Sequence, residues 1–140
     1  MIKRTVSQIS GMITVLNDLS AFKDVMVEGV TIDSRKITKG NLFIPFKGVH
    51  ADGHRFVENA IQQGAGAAFW QKDVPNPPLH LPILLVEDCL IALQELARNY
   101  RNELPVKVVG ITGSNGKTTT KDMTGKLLSL QYKVKKTEGN

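Results

Sequence analysis

The chain has 140 residues, of which 41% are hydrophobic and 22% charged, a composition typical of a folded globular protein rather than a disordered or disulfide-rich one. No apolar run reaches the roughly 18 residues that a membrane-spanning helix needs, so we expect no membrane insertion. The single cysteine, Cys89, excludes an internal disulfide and fits a reducing compartment.

The net charge of +5 is concentrated in residues 101–140, which carry eight basic and three acidic side chains. Nucleic-acid and membrane-surface binding usually require arginine clusters, interleaved aromatic residues or a bulky amphipathic helix. This segment has one arginine, one tyrosine and no tryptophan or phenylalanine. It therefore favours a phosphorylated small molecule as the ligand, the alternative being a solvated basic face.

Residues 1–104 show apolar periodicities that alternate between strand and helix. The proline inside the second predicted strand, Pro45, favours an edge position for it. Strands are predicted over 25–32, 42–46, 67–70 and 83–86, and a proline-rich loop over 71–81. Helices are predicted over 5–12, capped by Thr5, over 53–63, capped by Asp52, and from Asp88 to about 102. The apolar side of the last helix is expected to hold Leu90, Leu93, Leu96, Ala97 and Tyr100.

A second unit is expected after Pro105, with a strand over 106–111, a tight loop over 112–116, a helix over 117–130 and a further strand from Val134. Alternating strands and helices indicate an α/β fold. Residues 105–140 are too few to complete a parallel sheet covered by helices on both faces. We therefore expect a whole small domain, residues 1–104, followed by the opening of a larger one, so that the chain is an N-terminal fragment.

The strongest chemical signal is the glycine-rich turn between the predicted strand and helix of the second unit. Its small residues let several amides converge on one phosphate at a helix N-terminus. Lys117 would contact the β- and γ-phosphates of ATP, and the Thr118 hydroxyl would ligate Mg²⁺. The expected nucleotide-binding residues are Gly113, Ser114, Asn115, Gly116, Lys117, Thr118 and Thr119.

One feature departs from the common P-loop pattern: its first glycine falls at Gly110, one residue earlier than usual, and Ile111 takes the usual position. The alternative interpretation is an ordinary glycine-rich turn with a surface lysine.

The string Thr-Gly-Ser-Asn-Gly-Lys-Thr-Thr-Thr over 112–120 resembles the ATP loop of the Mur ligase family, which shares the displaced glycine. Further motifs resemble that family's N-terminal uridine-nucleotide domain. They are Asp33-Ser34-Arg35-Lys36, Lys39-Gly40-Asn41-Leu42-Phe43, Lys47-Gly48 and Asp52-Gly53-His54. Lys121-Asp122-Met123 and the terminal Thr137-Glu138-Gly139-Asn140 are most similar to the members that add D-alanyl-D-alanine.

The resemblance implies a UDP-substrate-binding domain over 1–104 and the truncated start of a central ATP-binding domain over 105–140. It implies a cytoplasmic, monomeric ligase of peptidoglycan synthesis that uses ATP and Mg²⁺ and has no nucleic-acid partner. The expected reaction joins D-alanyl-D-alanine to UDP-N-acetylmuramoyl-tripeptide through an acyl phosphate. This fragment is not expected to be active alone. The alternatives are a family member that adds the third amino acid, a non-catalytic UDP-muropeptide-binding module, or a generic P-loop ATPase.

The resemblance also implies roles for individual residues. Lys117 would be catalytic, and Thr137 and Asn140 would lie near nucleotide and metal, unless they simply end the chain in solvent. Arg35 would pair with a phosphate, although a turn-stabilising pair with Asp33 is an equal alternative. The residues that match the family's UDP-contacting positions are Ser34, Arg35, Gly48, Val49, His50 and Ala51.

Other reactive side chains are better explained by structural roles. We expect His54 at a helix start to be structural, Cys89 to be a buried thiol and Trp70 with Phe69 to belong to the core. His80, in the proline-rich loop, is expected to be inert, and no His, Cys, Asp and Glu spacing suggests zinc.

Overall fold

The computed structural model describes residues 1–138 and divides the chain into two compact units, the first ending at Pro105 and the second starting at Val106. Strands and helices alternate around a parallel sheet, so the predicted α/β class is confirmed. The strands are β1 (Lys3–Thr5), β2 (Met26–Glu28), β3 (Val30–Thr31), β4 (Leu42–Phe43), β5 (Ala67–Gln71) and β6 (Ile83–Val86), and the α-helices are α1 (Val6–Ser10), α2 (Val57–Gln62), α3 (Cys89–Glu103) and α4 (Lys117–Leu128).

The main sheet of the first unit has four parallel strands in the order β3-β4-β5-β6. Leu42 pairs with Ala67, and Ala68 pairs with Ile83. A separate antiparallel pair joins β1 to β2. Because all four strands of the main sheet run the same way, their carboxyl ends meet at one edge, where open α/β sheets usually bind ligands.

The strand predicted over 25–32 is broken at Gly29 into β2 and β3, which belong to different sheets. Gly29 has φ +77°, and a Cβ there would lie 3.1 Å from the Asn41 Nδ2 atom. An alternating pattern does not show such a break, because both halves keep their β-branched residues. The prediction of one continuous strand was therefore wrong.

Pro45 does not place β4 at an edge, because β4 pairs with β3 on one side and β5 on the other. The Ile44 N–H donates to the Thr31 carbonyl at 3.0 Å, and Pro45 follows that bond. A proline beyond the last ladder donor removes no hydrogen bond from the sheet. The edge prediction failed because the strand ends before its proline.

Successive strand residues point to opposite faces of the main sheet, and each face is covered by helices. Leu42 and Phe69 pack on the face covered by α1 and α3, whereas Phe43 and Trp70 pack on the face of α2. On α3 the buried residues are Cys89, Ala92 and Leu96. Leu90 was expected on this buried side but is 52% exposed, because the buried stripe runs one residue away from it.

Three predicted helix caps are confirmed by the hydrogen bonds. Thr5 and Gln8 form a reciprocal capping box at the start of α1. The Asp88 carboxylate accepts from the Ile91 N–H at 3.0 Å. The Asp52 carboxylate accepts from the His54 N–H, although the first turn there, Gly53–Phe56, is a 3₁₀-helix that leads into α2.

In the second unit, residues 106–111 and 133–137 are not strands, contrary to the sequence prediction. A parallel strand exists only when a neighbour completes its ladder of hydrogen bonds, and no segment within residues 1–138 pairs with either stretch. The helix α4 does form, two residues shorter than expected. None of the helices within residues 1–138 is long and apolar enough to cross a membrane.

Candidate functional site

A pocket of about 550 Å³ lies at the carboxyl edge of the main sheet in the first unit. Most of its walls are formed by the turn that follows β3 and by the segment that follows β4. The lining residues are Ile32, Asp33, Ser34, Arg35, Lys36, Phe43, Phe46, Gly48, Ala51, Gly53 and Phe56. Four of the six predicted UDP-contacting residues, Ser34, Arg35, Gly48 and Ala51, therefore lie in one cavity.

The turn after β3 is built by Asp33. Its carboxylate accepts from the Arg35 N–H at 3.0 Å, which starts the 3₁₀ turn Ser34–Lys36. The same carboxylate takes two hydrogen bonds from the Arg35 guanidinium, each 2.9 Å long. The Arg35 side-chain hydrogen bond, followed by its backbone N–H, lowers the pKa of Asp33 to about 2. Because the Arg35 side chain is 86% exposed, its cation is paired and yet open to an anion from solvent.

The second wall of the pocket is residues 47–52, which we call the pocket loop. An antiparallel bridge between Lys47 and Asp52 closes its ends, and the Gly48 N–H donates to the Ala51 carbonyl at 2.8 Å. Val49 is 96% exposed, and neither it nor His50 is among the residues that line the pocket in the described part of the chain. The loop thus presents Gly48 and Ala51 to the cavity and these two side chains to solvent.

Gly53 follows the pocket loop and lies against the chain that leaves β4. Its N–H donates to the Phe46 carbonyl at 2.8 Å. A Cβ on Gly53 would stand 2.8 Å from that oxygen and 3.0 Å from the Phe46 nitrogen. The position therefore requires glycine for close backbone approach rather than for an unusual backbone angle.

Several lining residues were not among the predicted site residues, notably Phe46 and Phe56. Each of these phenylalanines stands close in sequence to a glycine that the family resemblance had marked, Gly48 and Gly53. Aromatic residues that flank such glycines were the available signal, since a nucleotide base favours aromatic walls.

The second candidate site is the phosphate loop, residues 112–117, at the start of α4. Gly116 precedes the helix with φ +76° and ψ +10°, a left-handed conformation that glycine adopts without strain. Within residues 1–138 no side chain caps α4 and no acidic residue lies in its first turn. The positive end of the helix therefore meets no acidic side chain of its own first turn, and Lys117 and Thr118 are exposed beside it.

The segment after α4 folds back onto the second turn of that helix. The Lys121 ammonium donates to the Thr137 carbonyl at 2.8 Å, and Lys136 pairs with Asp122 at 2.7 Å. The Lys136 hydrogen bond lowers the pKa of Asp122. Thr137 thus contacts the side chain of Lys121, the residue one helical turn after Lys117, whereas Asn140 is outside the described residues.

A magnesium ion suits the chemistry of the phosphate loop only in part. The Thr118 hydroxyl is a hard oxygen ligand of the kind that Mg²⁺ takes together with nucleotide phosphates. Within residues 1–138 no group of three or more His, Cys, Asp and Glu side chains could hold a metal ion. A magnesium ion there would take one protein ligand from Thr118 and others from the nucleotide phosphates.

The buried, structural positions predicted for His54, Trp70 and Cys89 are confirmed. His54 is 4% exposed and Trp70 is 7% exposed, and both pack in the first unit. Burial, followed by the charge of Asp88, raises the pKa of the Cys89 thiol to about 12, which disfavours the thiolate, the nucleophilic form of a cysteine.

The parallel sheet with its edge pocket, and the glycine-rich turn before α4, define an α/β protein with two candidate ligand sites. The model of the "Mur ligase family, catalytic domain" matches residues 26–101, and that of the "Mur ligase middle domain" matches residues 111–140. The chain belongs to the Mur ligase family, as its sequence resemblance predicted.

Individual relatives are similar over the whole chain. A UDP-N-acetylmuramoyl-tripeptide–D-alanyl-D-alanine ligase of Bacillus subtilis is 49% identical over all 140 residues, and the corresponding Escherichia coli enzyme is 39% identical. The crystal structure of a MurF ligase from Thermotoga maritima in complex with ADP is 36% identical, with a TM-score of 0.69 over 81% of this chain and 26% of its own. This chain spans 31% and 30% of the lengths of the two curated relatives.

Proposed function

We propose that this chain is the N-terminal part of an ATP-dependent ligase that joins D-alanyl-D-alanine to UDP-N-acetylmuramoyl-tripeptide. The observation that carries this proposal is the 49% identity to the Bacillus subtilis ligase of that name, which extends through both candidate sites. The protein would act in the cytoplasm, as a monomer, in peptidoglycan synthesis and thus in cell shape and division.

In this proposal residues 1–104 bind the UDP end of the muropeptide. The pocket supplies a hydroxyl from Ser34, the cations of Arg35 and Lys36, and two phenylalanine rings, Phe46 and Phe56. A diphosphate needs cationic and hydrogen-bond donors, and a uracil ring needs an apolar wall with polar groups at its rim. The pocket offers both kinds of contact. Val49 and His50, exposed on the pocket loop, would contact the part of the substrate that extends beyond the cavity.

Residues 105–140 would begin the domain that binds ATP. The phosphate loop would surround the phosphates with the amides of residues 113–116, and Lys117 would place its charge on the transferred phosphate. Thr118 would hold Mg²⁺, with Thr119 beside it. When bound, this ion neutralises phosphate charge.

The chemistry follows from the weak reactivity of a carboxylate. ATP phosphorylates the terminal carboxylate of the tripeptide, which gives it a leaving group. The amine of D-alanyl-D-alanine then attacks the acyl carbon, phosphate departs, and an amide remains. Residues beyond this chain are needed for the complete reaction, so the fragment alone would be inactive.

Binding measurements on the 140-residue chain test the proposal. Calorimetric titration with UDP and with UDP-N-acetylmuramoyl-tripeptide should show saturable binding to a single site, with Ser34→Ala weakening both ligands. Absence of binding to either ligand contradicts the assignment of the pocket.

The acceptor is tested with the full-length enzyme that contains this chain. Phosphate release in the presence of ATP and the UDP-linked tripeptide should require D-alanyl-D-alanine. Turnover with a single diamino acid, and with the dipeptide-linked UDP precursor instead, would assign the chain to the ligases that add the third residue.

A further inference from the structure

His54 is buried next to the pocket, yet it does not line it. Its side chain is 3% exposed, and its ring meets the Trp70 ring edge to face with centroids 4.8 Å apart. A polar ring so deeply buried requires partners for both nitrogens. Each nitrogen of the His54 ring has a hydrogen-bond partner, and the two partners belong to different parts of the fold.

The hydrogen bonds fix the protonation of the ring. The Gln71 N–H donates to His54 Nε2 at 3.0 Å, so this nitrogen carries no proton. The proton is therefore on Nδ1, which donates to the Asp52 carboxylate at 2.7 Å. His54 is a neutral bridge between the end of the pocket loop and the last residue of β5.

Asp52 receives a second bond from the same residue, because the His54 N–H donates to the same carboxylate oxygen at 3.0 Å. Partial burial raises the pKa of Asp52, but the backbone and ring of His54 lower it more, so that the carboxyl is held ionised. An ionised acceptor makes the stronger hydrogen bond. The backbone of Asp52 in turn closes the pocket loop through its bridge with Lys47.

Gln71 continues the connection into the body of the domain. Its backbone is held in the main sheet by β6, where it pairs with Val86. Its side-chain oxygen accepts from the Cys89 N–H at 3.1 Å, and its side-chain nitrogen donates to Asp73. Gln71, whose backbone N–H donates to His54, is thus fixed both to the main sheet and to the start of α3.

We propose that His54 is a positioning residue for the pocket loop: by joining Asp52 to Gln71 it holds Gly48 and Ala51 in the arrangement that binds the UDP end of the substrate. This inference rests on the proposed function of the pocket. A loop held in its binding shape before the ligand arrives loses less conformational freedom on binding.

The test compares three variants of the 140-residue chain. His54→Phe keeps a ring against Trp70 but removes both nitrogens. Asp52→Ala leaves the histidine in place and removes its contact with the pocket loop. This second variant keeps the test possible if His54→Phe fails to fold. Thr5→Ala is the matched control, because it removes a helix cap of the first unit away from the pocket.

Two quantities are measured for each variant: the Kd for UDP by calorimetry, and the hydrogen exchange of the Gly48 amide without ligand. We expect His54→Phe and Asp52→Ala to raise the Kd at least about tenfold and to speed this exchange at least about tenfold, because each removes the hydrogen bond between the His54 ring and the charged Asp52 carboxylate together with a second bond, to Gln71 in the first variant and from the His54 N–H in the other. Thr5→Ala should leave both within about twofold, even though it lowers the melting temperature.

Unchanged Kd and exchange in Asp52→Ala would overturn the inference, as would equal effects in Thr5→Ala, which would indicate a general loss of stability. If the wild-type chain does not bind UDP, the proposed function of the pocket fails and the binding part of the inference falls with it. The exchange of Gly48 still decides whether His54 holds the loop.

Discussion

The guanidinium of Arg35 contacts the carboxylate of Asp33 through two hydrogen bonds of 2.9 Å, although the two residues are only two positions apart and Arg35 is largely exposed. This pair holds the arginine side chain against the turn, beside the pocket that both residues line. A cation held in this way can bind a diphosphate at a smaller cost in side-chain entropy than a free arginine.

The ionisation of Asp33 provides the first prediction. Arg35 lowers the pKa of the folded carboxyl from 3.8 to about 2. Since the folded value is depressed, the stabilisation is fully present above pH 3.8 and is lost as the pH falls toward 2. Carboxyl carbon NMR titration should give a midpoint of about 2 for Asp33 in the wild-type chain.

The control for this titration is Arg35→Ala, which keeps the turn but removes the cation. The Asp33 midpoint should then move up toward 3.8, although the remaining backbone hydrogen bond holds it somewhat lower. A midpoint that stays at the wild-type value in Arg35→Ala shows that the ion pair is absent in solution.

The second prediction concerns the close approach at Gly53. In Gly53→Ala the new methyl group would stand 2.8 Å from the Phe46 carbonyl oxygen, so the backbone at the pocket must shift. We expect a loss of about 1–3 kcal/mol in the free energy of unfolding and weaker UDP binding. Urea denaturation followed by tryptophan fluorescence measures the stability, since Trp70, the single tryptophan, is buried in the same unit.

Gly11→Ala is the matched control for this change. Gly11 has φ −76°, and a Cβ there would meet its nearest atom, the Gln8 carbonyl oxygen, at 3.4 Å, an ordinary contact. The stability should stay unchanged or rise by up to about 1 kcal/mol, because an unstrained glycine-to-alanine substitution lowers the conformational entropy of the unfolded chain. Equal losses in the two variants contradict the steric reason given for Gly53.

Much of the fold could be predicted because its signals are local. The side chains of Thr5, Asp52 and Asp88 each satisfy orphan amides within three residues, so caps are visible in the sequence itself. The break at Gly29 could not be predicted, because it depends on which sheet each half joins. The strand over 106–111 failed for a related reason, since its existence depends on partners elsewhere in the chain.

The candidate site likewise contains residues that the sequence predicts and contacts that it does not. Ser34, Arg35, Gly48 and Ala51 could be predicted from the family resemblance, and the structure brings them together in one pocket. The bridge from Asp52 through His54 to Gln71 could not, because Gln71 lies 17 residues beyond the histidine and offers only its backbone N–H. Since every residue except proline has a backbone N–H, such a donor cannot be recognised in a sequence.

The third prediction separates two leucines of α3 that the sequence places on the same apolar side. Leu96 is 2% exposed and packs under the main sheet, whereas Leu90 is 52% exposed. Leu96→Ala should lower the free energy of unfolding by about 2–5 kcal/mol through lost contacts and a cavity. Leu90→Ala should change it by less than about 0.5 kcal/mol. Urea titrations of both variants check this, and equal losses would show that α3 is rotated about its axis.

The fourth prediction assigns Lys117 to the nucleotide rather than to the fold. Its side chain is exposed at the first turn of α4, so Lys117→Ala should leave the thermal unfolding of the protein nearly unchanged. In the full-length enzyme the same change removes the charge that we propose faces the transferred phosphate, and kcat/KM should fall by about a thousandfold or more. Lys126→Ala, an exposed lysine in the last turn of the same helix, is the control and should retain wild-type turnover. Wild-type kcat/KM in Lys117→Ala would show that the phosphate loop serves another purpose.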